Sequence, residues 1–204
     1  MNRTTTSRNQ ITTIDLVFTA AISAVIGAIF LVWSNIVWDA TKLLLGLLFL
    51  PVIYGVWFIG ATVPAYIIRK PGIALLGEFL AALMEMALGT QFSSTALLYG
   101  VMQGVLSELV FAITRYKKWG WGTMALAGAM PALWAAPADT LLYGTAEPLL
   151  PEQRLVFWSL YFVSGAVLAG ILVKAVIDTV VKTTPILDPF PVARAVKSSC
   201  KQSK

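Results

Sequence analysis

Residues 69–118 read RKPGIALLGEFLAALMEMALGTQFSSTALLYGVMQGVLSELVFAITRYKK. Two apolar runs, about Ile73 to Leu88 and about Thr95 to Thr114, flank an uncharged GTQFSS linker, and Lys/Arg clusters close both outer ends. Cations at one end of an apolar hairpin and none at the other mark a pair of membrane crossings, because basic residues collect on the cytoplasmic side. The RKPG turn fits this reading, since proline ends or restarts helices.

Outward from the hairpin the pattern continues. A first span runs from about Ile14 to Trp33, and a connector carries Asn35, Trp38, Asp39 and Lys42 into a second, about Leu43 to Ile68. That second run is long for one crossing, and Pro51 and Gly55 inside it predict a kink or a short helix followed by another. A fifth span, about Thr123 to Tyr143, contains Pro131 and Pro137; a polar loop over 144–154 leads to a sixth, about Leu155 to Val180. A bilayer core takes roughly 20 helical residues per crossing. The first run could pass for a signal peptide, but the WSNIVWDATK that follows has no small-residue cleavage pattern, so an uncleaved helix is expected.

The fold class read from this is all-α integral membrane, with six transmembrane helices and both termini cytoplasmic. Residues 1–13 form an N-terminal tail, 14–181 the membrane domain and 182–204 a basic tail. Composition agrees: 58% of the 204 residues are hydrophobic and 12% charged, with a mean hydropathy of +0.79. Thirteen of the fifteen Lys and Arg fall on one side of a six-span topology, and only Lys42 and Arg154 on the other. The net charge of +5 therefore belongs to membrane topology and not to nucleic-acid binding. The expected location is the bacterial cell membrane. No strong internal repeat is present, which weakens an inverted-repeat transporter.

Several chemistries are excluded. There is no histidine and one cysteine, Cys200, in the tail. A Ser–His nucleophile and a His- or thiolate-ligated metal site are ruled out on those grounds. No G-x-x-x-x-G-K-[ST] loop exists, so ATP would have to be used by a separate ATPase. No catalytic residue, metal or cofactor is expected.

Polar groups within spans each need a reason, because a central charge costs roughly 2.5–3.5 kcal/mol on insertion scales. Depth along the spans places Glu85, Gln91, Tyr99, Gln103, Trp134, Asp139 and Tyr143 in the outer half, joined by Trp33, Asn35 and Trp38 at the end of the first span. Rings, carboxylates and amides without a basic group suit a flat cationic heterocycle: ring faces stack and attract cations, carboxylates supply countercharge, amides orient ring edges. Phosphorylated ligands would want Arg or Lys. For Trp33, Trp38 and Trp134 an interfacial-belt or packing role stays open; Trp119, Trp121, Trp158 and Tyr161 are read as belt. Glu78, seven residues before Glu85 and about 20° away in projection, is expected to pair with Arg69 or Lys70. Glu108 is expected to pair with Arg115 or meet a partner protein, and Lys174 with Asp178 is read as an ordinary surface pair. Ala20, Ala24 and Ala28 recur every four residues, a stripe for internal packing or for docking another membrane subunit.

WSNIVWDA at 33–40, IIRKPG at 67–72, GEFLAALMEMALGTQ at 77–91 and LLYGVMQGVLSELVFAITRYKKW at 97–119 together resemble the YkoE family. These are S components, the substrate-capturing subunits of energy-coupling-factor (ECF) transporters. The resemblance spans the first helix to about residue 145. It implies six helices, capture of thiamine or its hydroxymethylpyrimidine precursor from outside, and delivery through a transmembrane coupling subunit and cytoplasmic ATPases. It also implies that the alanine stripe is the coupling surface. The expected function is therefore an S component for thiamine or a related pyrimidine. The alternative is a self-sufficient proton-coupled transporter of organic cations.

Overall fold

A computed structural model describes residues 10–202. The expected tail over 1–13 lies, up to residue 9, outside the described residues, as do residues 203 and 204. Among the described residues every regular element is helical. They form six passes: α1 (Thr13–Val32), α2 and α3 (Trp38–Phe49, Ile59–Ile68), α4 (Ile73–Ala87), α5 (Thr95–Ile113), α6 and α7 (Trp121–Ala129, Ala132–Tyr143), and α8 and α9 (Pro151–Ser164, Val173–Thr183). A final helix, α10 (Pro191–Gln202), follows. Three continuous stretches, Thr13–Ile68, Thr95–Ile113 and Pro151–Thr183, are long and apolar enough to cross a bilayer. Large apolar side chains such as Leu43, Leu44 and Leu141 stay more than 80% exposed, as lipid contact allows.

The breaks in the passes follow their chemistry. α1 starts with Thr12, whose hydroxyl accepts from Asp15 N at 3.3 Å while Asp15 accepts from Thr12 N at 2.7 Å, a reciprocal cap that satisfies two otherwise orphaned donors. It passes at Trp33–Val37 into a π-helical turn. The kink expected near Pro51 and Gly55 begins earlier, where Gly46 takes φ 70°; a 3-10 helix over Leu50–Phe58 then joins α2 to α3. The fifth pass breaks at Pro131, between α6 and α7. α6 packs against a second π-helical segment, Gly165–Leu172, almost backbone to backbone: a Cβ on Gly128 would lie 2.4 Å from Gly165 O. Such close approach is what small residues provide between membrane helices.

The end of the bundle that carries both ends of the described chain also carries Arg69, Lys70, Arg115, Lys117 and Lys118 in its turns. There Lys70 pairs with Asp15 at 2.5 Å. Glu108, part-buried, bonds to backbone N–H groups and a phenol instead of Arg115. Its carboxylate accepts from Gly72 N at 2.6 Å, Ala74 N at 2.9 Å and Tyr116 OH at 2.6 Å. It thus caps α4 from a neighbouring helix and ties two turns together. The helix N-terminus, with free N–H groups and a positive dipole end, outcompetes a mobile arginine for this carboxylate. Lys174 and Asp178 are likewise no ordinary surface pair. Lys174 is buried, donates to Asp178 at 2.8 Å and Tyr66 OH at 2.5 Å, and sits over the Trp121 ring at 4.9 Å. The tail contains α10, whose Val192, Ala193 and Val196 are buried in the core at this end while Arg194 and Lys197 point outward. Phe190 packs on Phe18 with ring centroids 4.4 Å apart.

Glu108→Ala is expected to lower stability by about 1–3 kcal/mol, through loss of charge-assisted caps. Glu108→Gln should lose less. Thermal unfolding of the detergent-solubilised protein checks both, and an unchanged midpoint for Glu108→Ala would remove the cap from the account.

Candidate functional site

At the opposite end, α1, α2, the 3-10 segment, α4, α5 and α7 enclose a cavity of about 240 Å³. This is slightly below the usual range for ligand pockets, roughly 300–1,000 Å³, which fits a small ligand. Its wall is aromatic. Trp38 meets Trp57 at 5.0 Å and Tyr54 at 5.7 Å between centroids, Trp57 meets Phe92 at 6.0 Å, and Phe92 meets Tyr143 at 5.9 Å. Tyr99 closes the series 6.4 Å from Tyr143. These contacts are edge-on or tilted, the arrangements that aromatic pairs prefer. A desolvated cation over a ring face gains about 2 kcal/mol per ring.

Three buried carboxylates share this space: Glu78, Glu85 and Asp139, each less than 5% exposed. Asp139 is held by three phenols, Tyr99 at 2.6 Å, Tyr161 at 2.8 Å and Tyr54 at 3.3 Å. Glu85 accepts from Ser34 at 2.5 Å and Thr90 at 3.0 Å, both on Oε1. Ser34 lies in the π-helical turn after α1 and its own hydroxyl accepts from Trp57 Nε1 at 3.2 Å. A π-bulge of this kind redirects side chains that a regular α-helix would place elsewhere. Gln91 donates from its side chain to Ser34 O. Charged carboxylates buried in one apolar space are expensive, several kcal/mol per ion even after relaxation. An enclosed space of this kind offers a cation both countercharge and ring faces.

Of the residues picked out by sequence, Trp38, Glu85, Gln91, Tyr99, Gln103, Asp139 and Tyr143 line the cavity. Trp33, Asn35 and Trp134 do not. The Trp33 indole donates to Ile53 O at 3.2 Å, and Asn35 Oδ1 accepts from Gln91 N at 3.1 Å, so both fasten the connectors around the mouth. Trp134 packs edge-on behind Tyr99, 6.2 Å between centroids. The expectation of no basic group also needs correcting, because exposed Lys42, with Asp39, reaches the cavity rim.

The family model for the permease component of an ABC-type cobalt transport system matches residues 14–134. A Bacillus subtilis (strain 168) protein, YkoE, whose printed name assigns it provisionally as an HMP/thiamine permease protein, is 32% identical over 189 residues. The match covers 93% of this chain and 94% of that one. The chain belongs to the YkoE family. A crystal structure described as an S component of an ECF transporter superposes with a TM-score of 0.86 at 30% identity, covering 95% of this chain and 97% of the other. The chain is thus an ECF S component and a multi-pass bacterial membrane protein, and its relatives are transporter subunits and not enzymes.

Sequence reasoning did not place Tyr54, Trp57, Phe92 or Tyr161 at the site. Tyr54 and Trp57 are three apart and eclipse one another on the 3-10 helix. Tyr161 was assigned to the interfacial belt; it is fully buried against Asp139. The apolar length of its span hides a phenol that points inward.

The tyrosine set gives an ordering to test. Tyr161→Phe and Tyr99→Phe should each destabilise by about 1.5–3 kcal/mol, the range for a hydrogen bond to a charged group. Tyr54→Phe, with the longest contact at 3.3 Å, should cost least. Thermal unfolding of the ligand-free variants in detergent reads the order, and equal effects would overturn the ranking by distance.

Proposed function

We propose that the chain captures thiamine, or its hydroxymethylpyrimidine precursor, in this cavity. The observation that carries the proposal is an aromatic enclosure closing on three carboxylates, with its one cationic side chain, Lys42, confined to the exposed rim. A permanent cation joined to a flat heteroaromatic ring matches that lining: ring faces stack, and carboxylates supply countercharge in a low dielectric. The printed name of the Bacillus relative supports the same ligand class. Glu85 and Asp139 provide countercharge. Trp38, Trp57 and Tyr99 provide faces, and Gln91 and Gln103 orient the ligand's edges. Trp33, Asn35 and Trp134 act from behind the wall. No bond is made or broken.

The segregation of Lys and Arg supports an orientation with both termini cytoplasmic and the cavity at the outer surface. Delivery then requires a transmembrane coupling subunit and ATPases. Ala20 and Ala28 are exposed and Ala24 is half-buried, whereas Gly27 faces inward, where a Cβ would lie 2.5 Å from Ala81 O. The alanine stripe is therefore free to receive a partner helix.

Titration of the purified, ligand-free protein with thiamine, followed by tryptophan fluorescence, is expected to give saturable quenching with Kd below about 1 μM, equivalent to roughly −8 kcal/mol or better. Thiamine pyrophosphate should give no response. Glu85→Gln and Trp38→Ala should each weaken binding tenfold or more; if both bind as wild type, the assigned cavity is not the site.

Ala20→Trp and Ala28→Trp should bind thiamine normally yet fail to co-purify with the coupling subunit and fail to support uptake in cells. Normal uptake by both would place docking elsewhere.

A further inference from the structure

The three carboxylates in the cavity are not equivalent. Asp139 has three phenol donors and Glu85 has two hydroxyl donors. Glu78, 1% exposed, has an Oε2 with no hydrogen-bond partner among the described residues. The cations expected to pair with it are engaged elsewhere: Lys70 with Asp15 at 2.5 Å, and Arg69 over the rings of Tyr66 and Trp119 at 4.8 and 5.5 Å.

The fold makes room for this carboxyl. A Cβ on Gly60 would come within 2.8 Å of Glu78 Oε2, and one on Gly104 within 3.1 Å of Glu78 Cβ. Glycines on α3 and α5 therefore form the slot in which the group sits. Beside Gly104, buried Gln103 lines the same cavity and adds an amide that both donates and accepts. Buried acceptors in native proteins are nearly always matched, and Glu78, which lines the cavity, is under-bonded by the protein, so a donor on whatever fills the cavity can complete its carboxyl.

We propose that Glu78, with Gln103, forms the subsite that reads the N–H-bearing edge of the ligand, the 4-amino group of an aminopyrimidine, while the Glu85 and Asp139 carboxylates set the field for its cationic ring. This deepens the thiamine reading and rests on it. The two kinds of carboxylate divide the work: satisfied ones supply charge at fixed positions, and the unsatisfied one supplies recognition. A 4-oxo analogue places an acceptor where Glu78 needs a donor. Sites built to bond a substrate N–H reject such analogues strongly, by factors of about 10⁴ in favourable cases.

The test compares thiamine with oxythiamine, its 4-oxo analogue, on full-length protein in detergent. Wild type should prefer thiamine by about a hundredfold or more. Glu78→Met, apolar and similar in length, should weaken thiamine binding at least tenfold and collapse the preference to about tenfold or less. Its ligand-free melting temperature should hold or rise, since an unmatched polar group is removed. Gly60→Ala, which retains the carboxyl but displaces Oε2, should reduce the preference in the same direction. An undiminished preference in Glu78→Met overturns the assignment, as does a fall in ligand-free melting temperature with equal losses for both ligands, which marks a structural role. Wild-type protein that binds thiamine but ignores the 4-position also overturns it and leaves the thiamine reading intact. Wild-type protein that binds neither thiamine nor hydroxymethylpyrimidine overturns both.

Discussion

A carboxylate buried within a membrane protein is costly unless donors meet it, and at Asp139 the donors come from three separate parts of the chain. Tyr54 reaches it from the 3-10 segment, Tyr99 from α5 and Tyr161 from α8. Asp139 itself stands on α7, so four passes converge on one side chain. The bonds to those phenols fix where each pass sits. The aromatic wall depends on that placement, since Tyr54 also anchors the contacts to Trp38 and Trp57.

The other end of the molecule is organised by the same requirement with different donors. Glu108 takes backbone N–H groups, Asp15 takes Lys70 and its own helix start, and Asp178 takes Lys174 and Tyr66. These carboxylates are matched inside the protein and leave no acceptor for a ligand. The contrast with the cavity, where rings outnumber donors, separates a scaffolding end from a receiving end within a single small bundle. The S-component relatives have the same overall shape.

Much of this was legible in the sequence because membrane physics is restrictive. The six passes followed from apolar length and the placement of Lys and Arg, and the resemblance in residues 67–119 was borne out by relatives along nearly the whole chain. Seven cavity-lining residues were accessible from depth alone. What depth cannot supply is azimuth: Trp134 shares the level of the cavity but stands behind Tyr99, and Tyr161 looked like an interfacial residue until its direction was known. Tyr54 and Trp57 lie beyond Gly46 in the 3-10 segment of the interrupted second pass, where apolar length gives no direction, and Glu108 was hidden by a partner that is backbone and has no letter in the sequence. The hydrophobicity of α10 is too low to announce a buried face, and Pro185, Pro189 and Pro191 before it read as a tail.

The seam between α6 and the Gly165–Leu172 segment bears on how this sequence can vary. Where Gly128, Gly165 and Gly170 meet, each would-be Cβ finds main-chain atoms within 2.6 Å, and main chain cannot rotate aside as a side chain can. A methyl group added there has to move a whole helix, and with it the pass that holds Tyr161. At Leu43 or Leu44, facing lipid, almost any apolar residue would serve. The smallest side chains in the bundle are thus its least replaceable, and the largest exposed ones are its most interchangeable.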